Sequence, residues 1–347
     1  MVIITNDIVS ELKAYLSSRK HDKVFVLTDT CTYEKCLPLL SPALESYGYI
    51  SITIKDGDLN KNLEQAAVVW DTLSQSGASR NSLLICLGGG MVTDLGGFAG
   101  ATFKRGLHNL YIPTTLMASV DAAIGGKTGV NFHGLKNEIG AFYLPDSVMI
   151  DCRFLKTLDR DDMRSGYAEM IKHGLISDKK TFYDTITFDI GQPNFQELKR
   201  LVGLSVAIKE RFVAADFKEA GIRKALNFGQ TVGHAFESLS FSLHQPLLHG
   251  HAVAAGMICE LYLSYKVCGL SVELLRQVIN GIKTHFPPFH FKCDHYEMIY
   301  ALMTHDKKNE DGQIHFTLLG DVGDIRINQD VSKILTFEAL DFYCDNY

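Results

Sequence analysis

The sequence predicts two domains, an α/β domain over residues 1–159 and a mainly helical domain over residues 160–347. Three observations carry this. Short apolar runs alternate with helical stretches from Lys23 to Asp151, apolar residues recur at helical spacing beyond Asp159, and 347 residues that are 46% hydrophobic exceed one core, since single cores stop growing at ~250 to 300 residues.

In the first half, Val24–Leu27, Tyr49–Ile54, Leu83–Leu87, Leu110–Ile112 and Val148–Ile150 read as strands of a largely parallel sheet, because a strand buried on both faces is continuously apolar. Leu59–Ser76 reads as a helix between the second and third. After Leu87 come Gly88-Gly89-Gly90 and a helix from Met91 through Phe98. Glycine lets the chain turn sharply and approach a ligand, and backbone N–H groups at a helix start suit a pyrophosphate. The order strand, glycine turn, helix is that of a dinucleotide-binding unit. Met91 and Thr93 break the full Gly-x-Gly-x-x-Gly pattern, so the turn alone does not separate a cofactor loop from an ordinary glycine turn. Gly125-Gly126-Lys127-Thr128 resembles the end of a P-loop, but Asp121 stands where its first glycine belongs; Lys127 stays a candidate phosphate ligand.

In the second half, Arg164–Ile176 reads as a helix with Glu169, Lys172 and His173 on one face, which by itself fits a solvated face with an internal ion pair. Leu198, Leu201, Val202, Ser205, Ile208 and Phe212 mark another helix. Gly221–Leu239 reads as a third, with Arg223, Asn227, Gln230 and His234 on one stripe among Leu226, Phe228, Val232 and Phe236, and with Gly229 and Gly233 admitting a close neighbour. Polar groups in that setting need interior partners or a ligand. Ala252–Val267 reads as a buried helix with His249-Gly250-His251 at its mouth, and His315–Ile327 as a hairpin around Gly320-Asp321-Val322-Gly323. Glutamate and histidine from three elements would make an open zinc site, though a histidine at a helix mouth is also a common cap, and no spacing proves the site. An α/β domain followed by a helical one implies a ligand cleft between them.

Net charge −6 argues against nucleic acid as a partner. No apolar run reaches the length of a membrane span and the first residues lack a signal peptide's character, so a cytoplasmic protein is expected. The eight cysteines form no Cys-x-x-Cys pair, and Cys86 and Cys259 read as small core residues.

The run Gly88-Gly89-Gly90-Met91-Val92-Thr93-Asp94-Leu95-Gly96-Gly97-Phe98 is followed by Phe103-Lys104-Arg105-Gly106, Pro113-Thr114-Thr115, Val120-Asp121, Gly125 to Asn131 and Lys136 to Phe142. Then come Ser165 to Ile176, Leu226 to Glu237, His249 to Met257 and Asp306-Lys307-Lys308. In order and across most of the chain, these motifs closely resemble the 3-dehydroquinate synthase family of sugar phosphate cyclases.

The resemblance implies a Rossmann-like α/β NAD-binding domain followed by a mainly helical metal-binding domain. It also implies conversion of 3-deoxy-D-arabino-heptulosonate 7-phosphate to 3-dehydroquinate with catalytic NAD, a divalent metal (zinc or cobalt), and a homodimer. By similarity Asp58, Lys61, Asp94, Thr114, Thr115, Asp121, Lys136, Thr157 and Leu158 contact NAD, with Gly89 and Gly90 beside the pyrophosphate. Lys127, Asn137 and Lys307 or Lys308 hold the substrate phosphate, joined by Arg105, which in the family reaches across the dimer. Lys209 and Arg223 match carboxylate ligands, Asn227 and Lys172 meet substrate oxygens, and His234 stands near the reacting centre.

The family's metal ligands map to Glu169, Gln230 and His249, and the middle position is normally histidine. A glutamine oxygen is a poorer zinc ligand than imidazole. His251 stands where the family has glutamate; on a helix it points about 200° from His249, at ~100° per residue, which favours a structural role. His234 is another possible substitute. Beside the synthase reading stand another sugar phosphate cyclase, a metal-dependent polyol dehydrogenase of the same fold, and a non-catalytic relative with a decayed metal site.

Overall fold

The computed structural model describes residues 1–133, 135–304 and 314–347, which form two compact units, Met1–Asp159 and Arg160–Tyr347. The first unit runs, in chain order, β1 (Val2–Thr5), α1 (Ile8–Ser18), β2 (Val24–Asp29), α2 (Thr30–Lys35), α3 (Leu37–Leu44), β3 (Ile50–Ile54), α4 (Leu63–Gln75) and β4 (Leu83–Gly88). It continues with α5 (Gly90–Thr102), β5 (His108–Pro113), β6 (Lys127–Phe132), β7 (Leu135–Phe142) and β8 (Ser147–Asp151).

Six strands form one parallel sheet in the order β1-β8-β5-β4-β2-β3, with Leu27 opposite Cys86 and Cys86 opposite Tyr111. Strands β2 and β4 are buried along their whole length, which is why they read as unbroken apolar runs. The chain leaves β2 toward β3 and leaves β4 toward β5 on the other side. The C-terminal ends of β2 and β4 therefore flank the switch point at which sheets of this kind bind ligands. Residues Ile8, Leu12 and Leu40 fill one face with Val26, Ile85, Leu110 and Met149 of the sheet.

The structure departs from the sequence expectation at several points. The helix expected over Leu59–Ser76 begins at Leu63, after a short 3-10 turn, because Asn62 caps it by accepting from the Gln65 N–H at 3.0 Å. The glycine turn needs no positive φ at any of its three residues; Gly88 is required for space, since a Cβ there would lie 2.5 Å from the Val92 side chain. Strand β1 and the antiparallel hairpin β6–β7 were not anticipated. Strand β7 is largely exposed and has no apolar alternation to betray it.

The second unit contains α6 (Arg160–Leu175), α7 (Lys179–Ile186), α8 (Phe195–Ala215), α9 (Gln230–Ser242), α10 (His249–Cys268), α11 (Val272–His285), α12 (Tyr296–Thr304), the hairpin β9 (His315–Asp321) and β10 (Asp324–Asp330), and α13 (Lys333–Asn346). Helix α10 is its centre, buried almost continuously from Ala252 to Leu261, with α6, α9, α11, α13 and β9 packed around it. The single helix expected over Gly221–Leu239 is two elements. Residues Ile222–Asn227 form a 3-10 segment, Gly229 turns the chain at φ 79°, and α9 starts at Gln230. No helix among the described residues is long and apolar enough to cross a membrane.

Candidate active site

In the first unit, five of the expected cofactor and substrate residues form one polar network. Lys61, only 5% exposed, places its Nζ 3.1 Å from Asp94 Oδ2 and 2.5 Å from Asn137 Oδ1. Lys136 Nζ lies 2.9 Å from Asp58 Oδ2, and Asn131 donates to the Asp58 carbonyl at 2.9 Å. Asp94 is on α5 and Asp58 in the turn before α4, so the network spans the mouth of the sheet next to the glycine turn.

The Thr114 N–H donates to the Gly88 carbonyl at 2.9 Å, and a Cβ on Gly89 would touch Thr115 at 3.0 Å, which sets both threonines beside the turn. Asp121 lies in a short π-turn whose Ala122 would meet a Gly90 Cβ at 3.2 Å. Thr157 and Thr114 both reach the Cys36 thiol, which burial pushes up to about 11. Leu158 follows directly and donates its N–H to Leu155.

The hairpin separates two expected phosphate ligands. Lys127 opens β6 opposite Phe142, whereas the Asn137 backbone N–H donates to Asn131 Oδ1 at 3.0 Å. Four residue steps of about 3.4 Å, roughly 13 Å of strand, separate Lys127 from Asn131. Arg105 sits exposed in the turn after α5 at φ 66°. Lys307 and Lys308 lie outside the described residues.

In the second unit, Glu169, Lys172 and His173 share one face of α6 and are all fully buried, so the solvated-face reading fails although the Glu169–Lys172 ion pair is present. His173 Nδ1 lies 2.5 Å from Ser205 Oγ of α8. His249, the first residue of α10, stands between two carboxylates, with Nε2 3.6 Å from Glu169 Oε1 and Nδ1 3.1 Å from Glu237 Oε2. Its ring is centred 5.6 Å from that of His234.

Burial alone would raise the Glu169 carboxyl. Lys172, His249 and His173 outweigh it and hold the group well below the usual carboxylate range. Burial likewise opposes a charged His249, but Glu169 and Glu237 pull its imidazole up to about 9.

Neither Glu169 oxygen meets a well-aligned hydrogen bond among the described residues. A buried carboxylate in that state, facing an imidazole whose other nitrogen is held by a second carboxylate, fits a divalent cation: Glu169 and His249 as ligands, Glu237 orienting the ring. Gln230 opens α9 one turn before His234 and so shares its face. His251 is turned away, its Nε2 3.3 Å from the Asp161 carbonyl and its ring edge-on to Phe286.

Lys209 of α8 and Arg223 of the 3-10 segment are 6% and 2% exposed. Arg223 Nη1 donates to the Phe217 carbonyl at 2.5 Å, and Asp216 organises the turn by accepting from the N–H groups of Gly221 and Arg223. Asn227 donates to Glu219 Oε1 at 2.7 Å. Two buried cations and a buried carboxamide in one unit suit an anionic, hydroxylated ligand.

Sequence reasoning missed Glu237 and Glu219. The first was within reach, since it falls three residues after His234 and seven after Gln230 on the same helical stripe. Glu219 carries no such signal, because it lies in an irregular turn at φ 62°.

Comparison with known proteins shows the family. Residues 51–165 match the family 3-dehydroquinate synthase N-terminal, and residues 166–309 match 3-dehydroquinate synthase C-terminal. The chain is 59% identical, over all of its length and 98% of the relative's, to a 3-dehydroquinate synthase of Parabacteroides distasonis.

Among solved structures, it resembles a 2-epi-5-epi-valiolone synthase of Streptomyces hygroscopicus subsp. jinggangensis 5008 with NAD+ and Zn2+ bound, at TM-score 0.89 and 25% identity over 100% of this chain and 97% of that one. A 2-deoxy-scyllo-inosose synthase complexed with carbaglucose-6-phosphate, NAD+ and Co2+ shares the fold at TM-score 0.87 and 20% identity, over 98% and 95%. Matched by family over both units and by a relative along its whole length, the chain belongs to the 3-dehydroquinate synthase family of lyases.

Proposed function

We propose that this chain converts 3-deoxy-D-arabino-heptulosonate 7-phosphate to 3-dehydroquinate and phosphate, a step of the shikimate pathway, with NAD and a divalent metal as cofactors. The observation that carries this reading is the series Glu169, His249, Glu237, two buried carboxylates on either side of a partly exposed imidazole, in the same unit as the buried cations Lys209 and Arg223. When bound, the metal supplies Lewis acidity at the substrate alcohols and NAD accepts and returns a hydride.

The residues of the chain do the binding and the proton handling. Asp58, Lys61, Asp94, Thr114, Thr115, Asp121, Lys136, Thr157 and Leu158 hold NAD, with Gly89 and Gly90 at its pyrophosphate. Glu169, Gln230 and His249 hold the metal. Lys209 and Arg223 grip the substrate carboxylate, and Asn227 and Lys172 orient its oxygens. His234 moves a proton at the reacting carbon's oxygen, and Lys127, Asn137, Lys307 or Lys308 and Arg105 bind the phosphate. Fixed cations at both ends of the substrate leave its reacting centre in one orientation, which is where most of the rate gain from positioning arises.

The protein acts as a homodimer in the cytoplasm. Exposed Leu135, Phe142 and Leu144 on and after the β6–β7 hairpin offer apolar surface for a second copy, and all eight cysteines are free thiols, as a reducing compartment requires. Phosphate release from the heptulosonate phosphate, dependent on NAD and on zinc or cobalt and without net NADH, is the expected result. Net NADH would make the chain a dehydrogenase. NAD binding without phosphate release would make it a non-catalytic relative, the reading that Gln230 favours.

A further inference from the structure

Helix α9 carries Gln230, His234 and Glu237 but has no cap of its own at its N-terminus, since Gly229 has no side chain to supply one. The cap comes from α10. Glu260, fully buried, accepts from the Gly229 N–H at 2.6 Å through Oε2 and from the Val232 N–H at 3.1 Å through Oε1. These are two of the orphan donors of a helix start, and the positive end of the helix dipole faces a negative charge.

The two helices run antiparallel and very close. A Cβ on Gly229 would lie 2.4 Å from Met257 Cγ, one on Gly256 would lie 2.2 Å from the Gly229 carbonyl, and one on Gly233 would lie 3.0 Å from Val253 Cα. At that distance the helices are in backbone contact, and a shift along their axes moves every facing pair. Glu260 follows His249 by eleven residues, which at ~100° per residue brings it to within about 20° of the same face of α10.

The contact is therefore pinned by a carboxylate at each end. Glu260 of α10 binds the start of α9, and Glu237 of α9 binds the histidine that starts α10. Glu260 is itself anchored, because its carbonyl accepts from Ser264 Oγ, which in turn accepts from the Leu319 N–H of β9.

We propose that Glu260 is a positioning residue for the active site: it sets the register at which Gln230 and His234 stand against His249. The proposal rests on the reading that Glu169, Gln230 and His249 hold a divalent metal. A carboxylate is suited to the task where an amide is not, because it accepts from both N–H groups at once and has no N–H of its own to set against them.

The test compares the full chain with Glu260→Gln. Cobalt is titrated by calorimetry and followed by its visible ligand-field spectrum, alongside thermal melting of the metal-free proteins. Glu260→Gln should melt cooperatively yet bind cobalt about tenfold more weakly, the low end of what indirect ligand support contributes, with a changed visible spectrum. A variant that melts earlier but keeps wild-type cobalt affinity and spectrum overturns the proposal and leaves Glu260 a merely stabilising cap. Absence of a cobalt spectrum in the wild type overturns the metal reading, and the proposal with it. If Glu260→Gln does not fold, Glu260→Asp, which keeps the charge but is one methylene shorter, carries the same comparison.

Discussion

Glu237 Oε2 lies 3.1 Å from Nδ1 of His249, on the side of the ring opposite Glu169. The contact fixes which imidazole nitrogen is left to face Glu169, and it joins α9 to the first residue of α10. A ring held in this way is oriented before any ligand arrives, which lowers the cost of binding.

Glu237→Gln keeps the size of the side chain and removes its charge. Metal affinity should fall about 10- to 100-fold, with the protein still folded. Calorimetric titration of zinc into both proteins checks this, and equal affinities would remove Glu237 from the metal's support.

Gln230→His should act in the opposite direction. An imidazole at the first position of α9 replaces a weak neutral oxygen donor, so zinc should bind on the order of tenfold more tightly. Unchanged affinity in the same titration would exclude residue 230 as a ligand and leave His234, whose ring already lies 5.6 Å from that of His249, as the third candidate.

Arg223→Lys tests the substrate carboxylate. Arg223 Nη1 donates to the Phe217 carbonyl, and a planar guanidinium can grip a carboxylate through two parallel hydrogen bonds, whereas lysine offers one point charge. Loss of a charge-assisted hydrogen bond, worth about 1.5 to 3 kcal/mol, should raise KM for the heptulosonate phosphate at least tenfold. Steady-state phosphate release gives the value; an unchanged KM would move the carboxylate site elsewhere.

Asp178→Ala tests local stability and its pH dependence. Asp178 caps α7, accepting from the Thr181 N–H at 2.9 Å and the Thr181 hydroxyl at 2.8 Å, and these bonds hold its carboxyl below the ordinary value. Removing the cap should cost about 1 kcal/mol. Because the folded value is depressed, the contribution is complete above the unfolded value of about 3.9 and is lost as pH falls through the folded one. Melting curves of the two proteins should therefore differ at neutral pH and converge in acid; a constant difference would contradict the assignment.

Much of this protein was legible in its sequence. Strands β2 to β5 and β8, helices α6, α8 and α10, and the hairpin β9–β10 announce themselves locally, as unbroken apolar runs in β2, β4 and α10 and as a helical period in α8. The resemblance also picks out Glu169 and His249, which lie 3.6 Å apart across α6 and α10, and marks Gln230 as the departure.

Only the tertiary structure decided how these pieces meet. The stripe from Arg223 to His234 looks like one helix in sequence, yet Gly229 breaks it, and the reason is the approach of Met257 and Val253 from a helix some two dozen residues away. The β6–β7 hairpin sets Lys127 apart from Asn137, though ten positions of sequence say nothing of register. Glu237 and Glu260 look like ordinary helix residues until His249 and the start of α9 are found beside them. Periodicity records what each element buries against the core, whereas the partner of a buried charge depends on which backbone comes within 3 Å of it, and that is set by packing.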